Sequence, residues 1–70
     1  MILTIGTTHR VLYTNWRGET AERRLIPRDA LRWASTQWHP EPQWMILAED
    51  VERQEDGQRL YTLRDMRPAP

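Results

Sequence analysis

The chain has 70 residues, no cysteine, and ten basic against ten acidic residues, so its formal charge is zero. Seventy residues build one small domain with a thin apolar core, and without cysteine neither a disulfide, a thiolate metal site nor a thiol nucleophile is possible. The neutral total disfavours tight DNA binding that is independent of sequence, because such binding needs a strongly basic domain.

The first part of the chain reads as a short apolar stretch followed by a β-hairpin. Residues 2–5 are apolar, and we expect an edge strand there. Residues 11–16 are rich in β-branched and aromatic side chains, which is typical of a strand. Residues 17–19 form a glycine-containing turn. Residues 20–26 are the returning arm, which Pro27 ends because it has no amide hydrogen for the ladder.

The middle of the chain predicts the one helical segment. Residues 28–34 are expected to form two helical turns, with Leu31 and Ala34 on the same side. Helical structure is excluded further along, because Pro40 and Pro42 stand two residues apart and favour an extended or turning path.

The last part predicts a second hairpin. Residues 44–48 are all apolar, which indicates a central strand buried on both sides. Residues 55–57 give a turn signal, residues 59–63 form the last strand, and residues 67–70 are expected to be a frayed tail. The whole chain is therefore predicted to be one mainly β domain, a small barrel or strongly bent sheet of about five short strands with one short helix.

Four sequence features occur in a recognisable order. A tyrosine strand with a glycine turn (13–19) precedes an arginine shortly before a proline (24–27). A tryptophan-led strand (43–48) and an arginine-x-tyrosine-x-leucine strand (59–63) follow. Together they resemble the WYL-domain family. The stretch 38–44 resembles the version found in short, stand-alone bacterial and phage members of that family.

This resemblance implies a fold and a function. The family's fold is an Sm-like or SH3-like small barrel, and its members are regulatory, ligand-sensing modules proposed to bind nucleotides or nucleic-acid fragments. Arg24 and Arg59 stand at the family's arginine positions. The chain differs from the family at Met45, where the family has tyrosine, and at Arg64 and Asp65, where the acid and the base are exchanged.

Arginines close to aromatic residues suit a ligand that carries phosphates and bases. Guanidinium groups bind phosphate oxygens in pairs, and aromatic rings stack on bases. The candidate ligand-binding residues are Tyr13, Arg24, Arg59, Tyr61 and Arg64. The alternative is that these arginines form ion pairs with carboxylates on neighbouring strands.

Four tryptophans in 70 residues are the second unusual feature. Trp44 leads the apolar strand and is expected in the core. Trp16, Trp33 and Trp38 are candidates for an exposed aromatic patch, with core packing as the alternative. Trp16, Trp38 and His39 are the predicted partner-binding residues, and the partner would be another protein or a second copy of the chain.

Catalysis and cofactor binding have little support in the sequence. Ser35 is the only serine and no nucleophile signature surrounds it, while Gly6, Gly18 and Gly57 are too far apart for a phosphate-cradling loop. The two histidines are too few for a catalytic metal site. No apolar run reaches the roughly 20 residues that cross a bilayer. We therefore expect a cytoplasmic protein that is not an enzyme and uses no cofactor or metal.

Overall fold

Six short strands and two 3-10 segments form the computed structural model, which describes residues 2–70. The strands are β1 (His9–Thr14), β2 (Thr20–Pro27), β3 (Arg32–Ala34), β4 (Gln43–Asp50), β5 (Gln58–Thr62) and β6 (Met66–Pro68). The 3-10 segments are η1 (Val51–Asp56), between β4 and β5, and η2 (Leu63–Asp65), between β5 and β6.

All six strands join one antiparallel sheet, in which β4 is the central element. The order is β3-β4-β2-β1-β6, and β5 pairs with the other edge of β4. Met45 and Ala48 accordingly have a pairing partner on both sides. The molecule measures 27 × 26 × 24 Å, far thicker than the ~10 Å spacing between packed sheets, because the sheet curls on itself. The predicted fold class, a mainly β small domain with a strongly bent, barrel-like sheet, is confirmed: the antiparallel sheet forms a curled half-barrel.

The register of the strands decides which side chains face the core. Directly opposite residues of an antiparallel pair point to the same side of the sheet. Tyr13 is opposite both Ala21 and Met66, and Ile46 is opposite Tyr61. The buried apolar residues on this side form one cluster: Val11, Tyr13, Leu25, Ile46, Ala48 and Met66.

A buried polar network ties β1 to β5. The Tyr13 hydroxyl accepts a hydrogen bond from the Thr62 amide at 3.2 Å and lies 3.4 Å from the Thr62 hydroxyl. The Thr62 hydroxyl donates to the Asp65 carboxylate at 2.7 Å. Thr62 is fully buried, so these bonds replace the water that its polar groups lose on folding.

Both predicted hairpin turns are confirmed. In the first, the Gly18 amide donates to the Asn15 carbonyl, and Gly18 adopts a φ of 81° that residues with a Cβ rarely reach. In the second, the Gly57 amide donates to the Gln54 carbonyl and Gly57 has a φ of 69°. The predicted strands at 11–16, 20–26, 44–48 and 59–63 are also present, with ends shifted by at most two residues.

The predicted helix at 28–34 is wrong. Asp29 accepts hydrogen bonds from the Ala30 amide and the Arg32 side chain, and Arg32–Ala34 then form β3 against the start of β4. Seven residues between a proline and Ser35 are too few for a helix that lacks a packed face. Pairing with β4 supplies backbone hydrogen bonds that a two-turn helix would leave unmade.

Two predictions at the chain ends are also wrong. Residues 2–5 form no strand: the Thr4 amide donates to His9 Nε2, and the Gly6 amide donates to the Pro27 carbonyl. Residues 67–70 are not a frayed tail, because β6 pairs with β1 and the Ala69 amide donates to the Arg10 carbonyl at 3.1 Å. Residue 1 of the predicted N-terminal segment lies outside the described residues.

The expected burial of residues 44–48 holds for Met45, Ile46 and Ala48 but not for Trp44. Trp44 lies two residues before Ile46 and faces the same side of the sheet, but it lies outside the apolar core cluster. The neighbouring ring of Trp33 packs against it edge to face, with the ring centroids 5.5 Å apart.

Replacing Tyr13 with phenylalanine should destabilise the fold, because the buried Thr62 amide then loses its acceptor. An unsatisfied buried donor costs about 1–3 kcal/mol, and Tm should fall by about 4–8 °C per kcal/mol in a domain of this size. Thermal unfolding followed by circular dichroism measures the change. Tyr61→Phe is the matched control, since the Tyr61 hydroxyl has no hydrogen-bond partner within residues 2–70. Equal Tm losses in the two variants would contradict the network.

Candidate ligand-binding cleft

An open cleft of about 530 Å³ lies beside the core. The first hairpin, the loop before β4, η1 and β5 all contribute to its walls. The lining residues are Tyr13, Asn15, Trp16, Arg17, Glu19, Thr20, Ala21, Arg23, His39, Arg53, Asp56, Arg59, Leu60 and Tyr61.

The hairpin turn holds Trp16 and Arg17 at the rim of the cleft. The Asn15 side-chain carbonyl accepts from the amides of Arg17 and Glu19 at 2.9 and 3.0 Å. Asparagine side chains commonly fix turns by bonding backbone amides two or more residues on. The Arg17 guanidinium lies 4.9 Å from the centre of the Trp16 ring, a cation–π distance. The turn therefore presents an aromatic face together with a positive charge.

A second loop meets this turn through stacked tryptophans. The rings of Trp16 and Trp38 are 4.9 Å apart and inclined by 18°, and each residue remains 52 % exposed. Thr36 shapes this loop, because its hydroxyl accepts from the amides of Trp38 and His39. The same turn brings His39 into the cleft wall.

Two tyrosines form the part of the cleft wall nearest the core. Tyr13 and Tyr61 meet edge to face with their centroids 5.1 Å apart. Burial raises the pKa of the Tyr61 hydroxyl, and the negative charge of Asp50 raises this pKa further. Tyr61 therefore stays a neutral phenol at neutral pH and keeps a proton to donate.

The arginine of the cleft floor, Arg23, is held by an ion pair with Asp50, a residue outside the cleft lining. Arg23 Nη1 lies 3.1 Å from Asp50 Oδ2, and the two side chains are only 16 % and 5 % exposed. Asp50 Oδ1 also accepts from the Glu52 amide at 2.9 Å, which caps the start of η1. One carboxylate thus fixes both the arginine in the floor and the segment that carries Arg53.

The other arginines fall into two groups. Four form ion pairs that are more exposed, at N–O distances of 2.9 to 3.2 Å: Arg10 with Glu22, Arg24 with Glu52, Arg28 with Glu49, and Arg32 with Asp29. Within residues 2–70, five arginines form no ion pair: Arg17, Arg53, Arg59, Arg64 and Arg67. Three of these five line the cleft, namely Arg17, Arg53 and Arg59.

The structure divides the predicted site residues. Tyr13, Arg59 and Tyr61 line the cleft together, as do Trp16 and His39 of the predicted partner-binding set, and Trp38 stacks on Trp16. Arg24 and Arg64 are not brought to the cleft. Arg24 lies opposite Arg10 on the other side of the sheet and pairs with Glu52, and Arg64 lies exposed in η2. Arg24 thus forms an ion pair rather than lining the cleft, but its carboxylate partner lies in η1 and not on a neighbouring strand.

Three cleft arginines were missed by the sequence reading: Arg17, Arg23 and Arg53. Arg23 could have been found from the alternation of side chains along β2. It lies two and four residues before the apolar Leu25 and Pro27, so the three side chains point to the same, inner face of the sheet. Arg17 and Arg53 lie in a turn and in an interrupted 3-10 segment, where no periodicity indicates a direction. Arg53 itself departs from helical geometry, with φ −133° and ψ 48°.

Two kinds of structural feature are absent from residues 2–70. No cluster of three or more histidine or acidic side chains there is placed to hold a metal ion. Nor does that part of the chain contain a helix with the length and apolar character needed to cross a membrane. Comparison of the chain with family models, with curated proteins and with solved structures gave no match. The resemblance to the WYL-domain family stays a prediction.

Asp50→Ala should destabilise the protein strongly, because it leaves the Arg23 guanidinium without its carboxylate in a largely buried position. Breaking a buried pair on one side costs about 3–5 kcal/mol. Glu49→Ala is the matched control one residue earlier on β4; it breaks the more exposed pair with Arg28 and should cost about 0–1 kcal/mol. Urea unfolding of both variants measures the difference. Similar costs for the two would show that the cleft floor is not held by Asp50.

Proposed function

We propose that the protein is a non-enzymatic, regulatory binding module of WYL type whose ligand is a nucleotide or a short single-stranded nucleic acid. The ligand occupies the cleft, with phosphates on the arginines and a base on the aromatic rim. The volume of about 530 Å³ falls within the range of about 300–1,000 Å³ common for small-ligand sites.

The observation that supports this proposal is the concentration of unpaired arginines in the cleft. Arg17, Arg53 and Arg59 line it without an ion-pair partner in the described chain, whereas most arginines outside the cleft are neutralised. The chain has no net charge, so an anion would be attracted locally rather than by the whole surface. Glu19 and Asp56 on the same lining would limit the number of phosphates that bind favourably.

Aromatic groups supply the second half of the recognition. Stacking of a base on an aromatic side chain contributes about 1–3 kcal/mol and accepts any base, because every base has a π-face. Tyr61 in the wall is one such ring, and Trp16 at the rim is a second once a base displaces the Arg17 guanidinium from its face, because Trp38 stacks on the other face. This combination favours a ligand with both phosphate and base over an inorganic anion.

The resemblance to the WYL-domain family supports the same ligand class through Arg59, which stands at a family arginine position and lines the cleft. Arg24, at the other family position, lies outside it. We therefore assign the phosphate-binding role to Arg59 with Arg53 and Arg17, and we give Arg24 no role in this site.

Arg59→Ala and Arg53→Ala should each weaken binding of a fluorescent ten-nucleotide thymidine strand or of adenosine monophosphate. A lost charge-assisted hydrogen bond of about 1.5–3 kcal/mol corresponds to roughly 10- to 100-fold in Kd. Each variant should also reduce the salt dependence, by about 0.7 in the slope of log K against log salt for a single strand. Fluorescence anisotropy and isothermal titration calorimetry measure these quantities.

The matched controls are Arg24→Ala and Arg64→Ala, which remove the same charge from outside the cleft and should leave Kd within about twofold, since only screened long-range attraction is lost. Native mass spectrometry of gently purified protein gives an independent test, in which an adduct of nucleotide mass is expected. The proposal fails if neither probe binds, or if the control variants weaken binding as much as Arg59→Ala does.

A second candidate function is a protein-interaction module that uses Trp16, Trp38 and His39. The observation in its favour is the stacked pair of half-exposed indoles beside the loop that contains Pro40 and Pro42. Exposed tryptophans are frequent centres of binding energy in protein interfaces. Under this function Trp38→Ser should abolish capture of a protein partner whereas Arg59→Ala should leave it intact, and a Trp38→Ser variant that still captures the partner would exclude it.

A further inference from the structure

A separate apolar pocket of about 140 Å³ opens on another part of the surface. Its floor is the buried Ile46, and its walls include Leu3 and Leu63, which pack on the core, and Ile5 and Leu31, which are about half exposed. No residue lines both this pocket and the cleft. Because one water molecule occupies about 30 Å³, a pocket of about 140 Å³ has room for one aliphatic side chain.

Two exposed tryptophans extend this apolar surface. Trp44 lies two residues before Ile46 on the same side of β4, and Trp33 is directly opposite Trp44. They are 53 % and 62 % exposed, and their rings meet edge to face. Leu31, on the pocket wall, lies two residues before Trp33. We call this surface, made of Ile5, Leu31, Trp33, Trp44 and the pocket, the β3–β4 patch.

We propose that the β3–β4 patch is the interface of a homodimer, in which a second copy of this chain covers it. An isologous interface uses the same patch on both subunits, so that patch must be self-complementary. The β3–β4 patch carries protruding apolar side chains next to a hole that fits one of them. A two-fold axis beside Leu31 would let this side chain, or Ile5, from each copy fill the pocket of the other.

The charges around the patch favour an apolar, uncharged partner surface such as a second copy. Asp29 on the pocket wall is paired with Arg32, and the neighbouring Arg28 is paired with Glu49. No net charge opposes association of two copies, since the chain carries ten basic and ten acidic residues. Because the charges of both pairs are already neutralised, they offer no free charge to a charged partner.

The exposed area also fits a dimer of modest strength. Four side chains that each expose roughly 100 Å² or more provide about 500 Å² per copy, or about 1,000 Å² for two, the lower limit of a specific interface. In this small domain the dimer would extend a core made of few residues. The expected dimer is weak and forms in the upper micromolar range.

Sedimentation equilibrium from about 10 µM to about 1 mM should show a reversible monomer–dimer equilibrium. Replacing Trp33 with serine, or Leu31 with serine, should raise the dimer Kd by at least about tenfold. Both side chains are about half exposed or more, and circular dichroism confirms that the variants fold. Trp38→Ser is the matched control, because Trp38 is similarly exposed but stacks on Trp16 beside the cleft.

A measurement on the unchanged chain tests the same surface. In NMR spectra recorded across the concentration series, the indole signals of Trp33 and Trp44 should shift, whereas those of Trp16 and Trp38 should not. A strict monomer at 1 mM, a concentration on the order of the Kd of the weakest specific contacts, would overturn the proposal. So would a dimer that Trp38→Ser dissociates and Trp33→Ser leaves intact. Neither outcome depends on whether the cleft binds nucleotides.

Discussion

The buried ion pair between Arg23 and Asp50 is the interaction on which the cleft depends. It joins the middle of β2 to the end of β4, and the same carboxylate caps η1. Moving two charges out of water is costly, and a buried pair stabilises a fold only when further hydrogen bonds satisfy its atoms. Here the Asp50 carboxylate accepts such a further hydrogen bond from the Glu52 amide, while Arg23 Nε has no partner within the described chain.

That cost has a structural consequence. An apolar pair in place of Arg23 and Asp50 would be at least as stable by general experience with buried ion pairs, but it would remove a positive group from the cleft floor. Because Asp50 neutralises Arg23, the free positive charge comes from the rim and the walls, where Arg17, Arg53 and Arg59 are in contact with water. The proposed attraction of an anion is then separated from maintenance of the fold.

The sequence predicted the mainly β fold and both hairpin turns because these depend on local chemistry: β-branched runs, Gly18, Gly57 and Pro27. It failed at residues 28–34 and 67–70, because pairing with β4 and β1 is a long-range interaction that no local pattern reveals. The prediction of Arg24 rather than Arg23 as a ligand-binding residue has a different basis. Both lie on one strand, and only the inner face, identified by Leu25, distinguishes them.

Exposure of Trp44 follows from the length of the sheet rather than from the side chain's hydrophobicity. The core cluster is built around Ile46 and Ala48, while β4 continues to Gln43 to pair with the three residues of β3. A strand that extends beyond its core must leave its last inward side chains uncovered. In this chain those side chains are tryptophans, whose large apolar area is costly to leave in water. A covering partner therefore relieves a cost that the isolated domain cannot avoid by repacking its own few core residues.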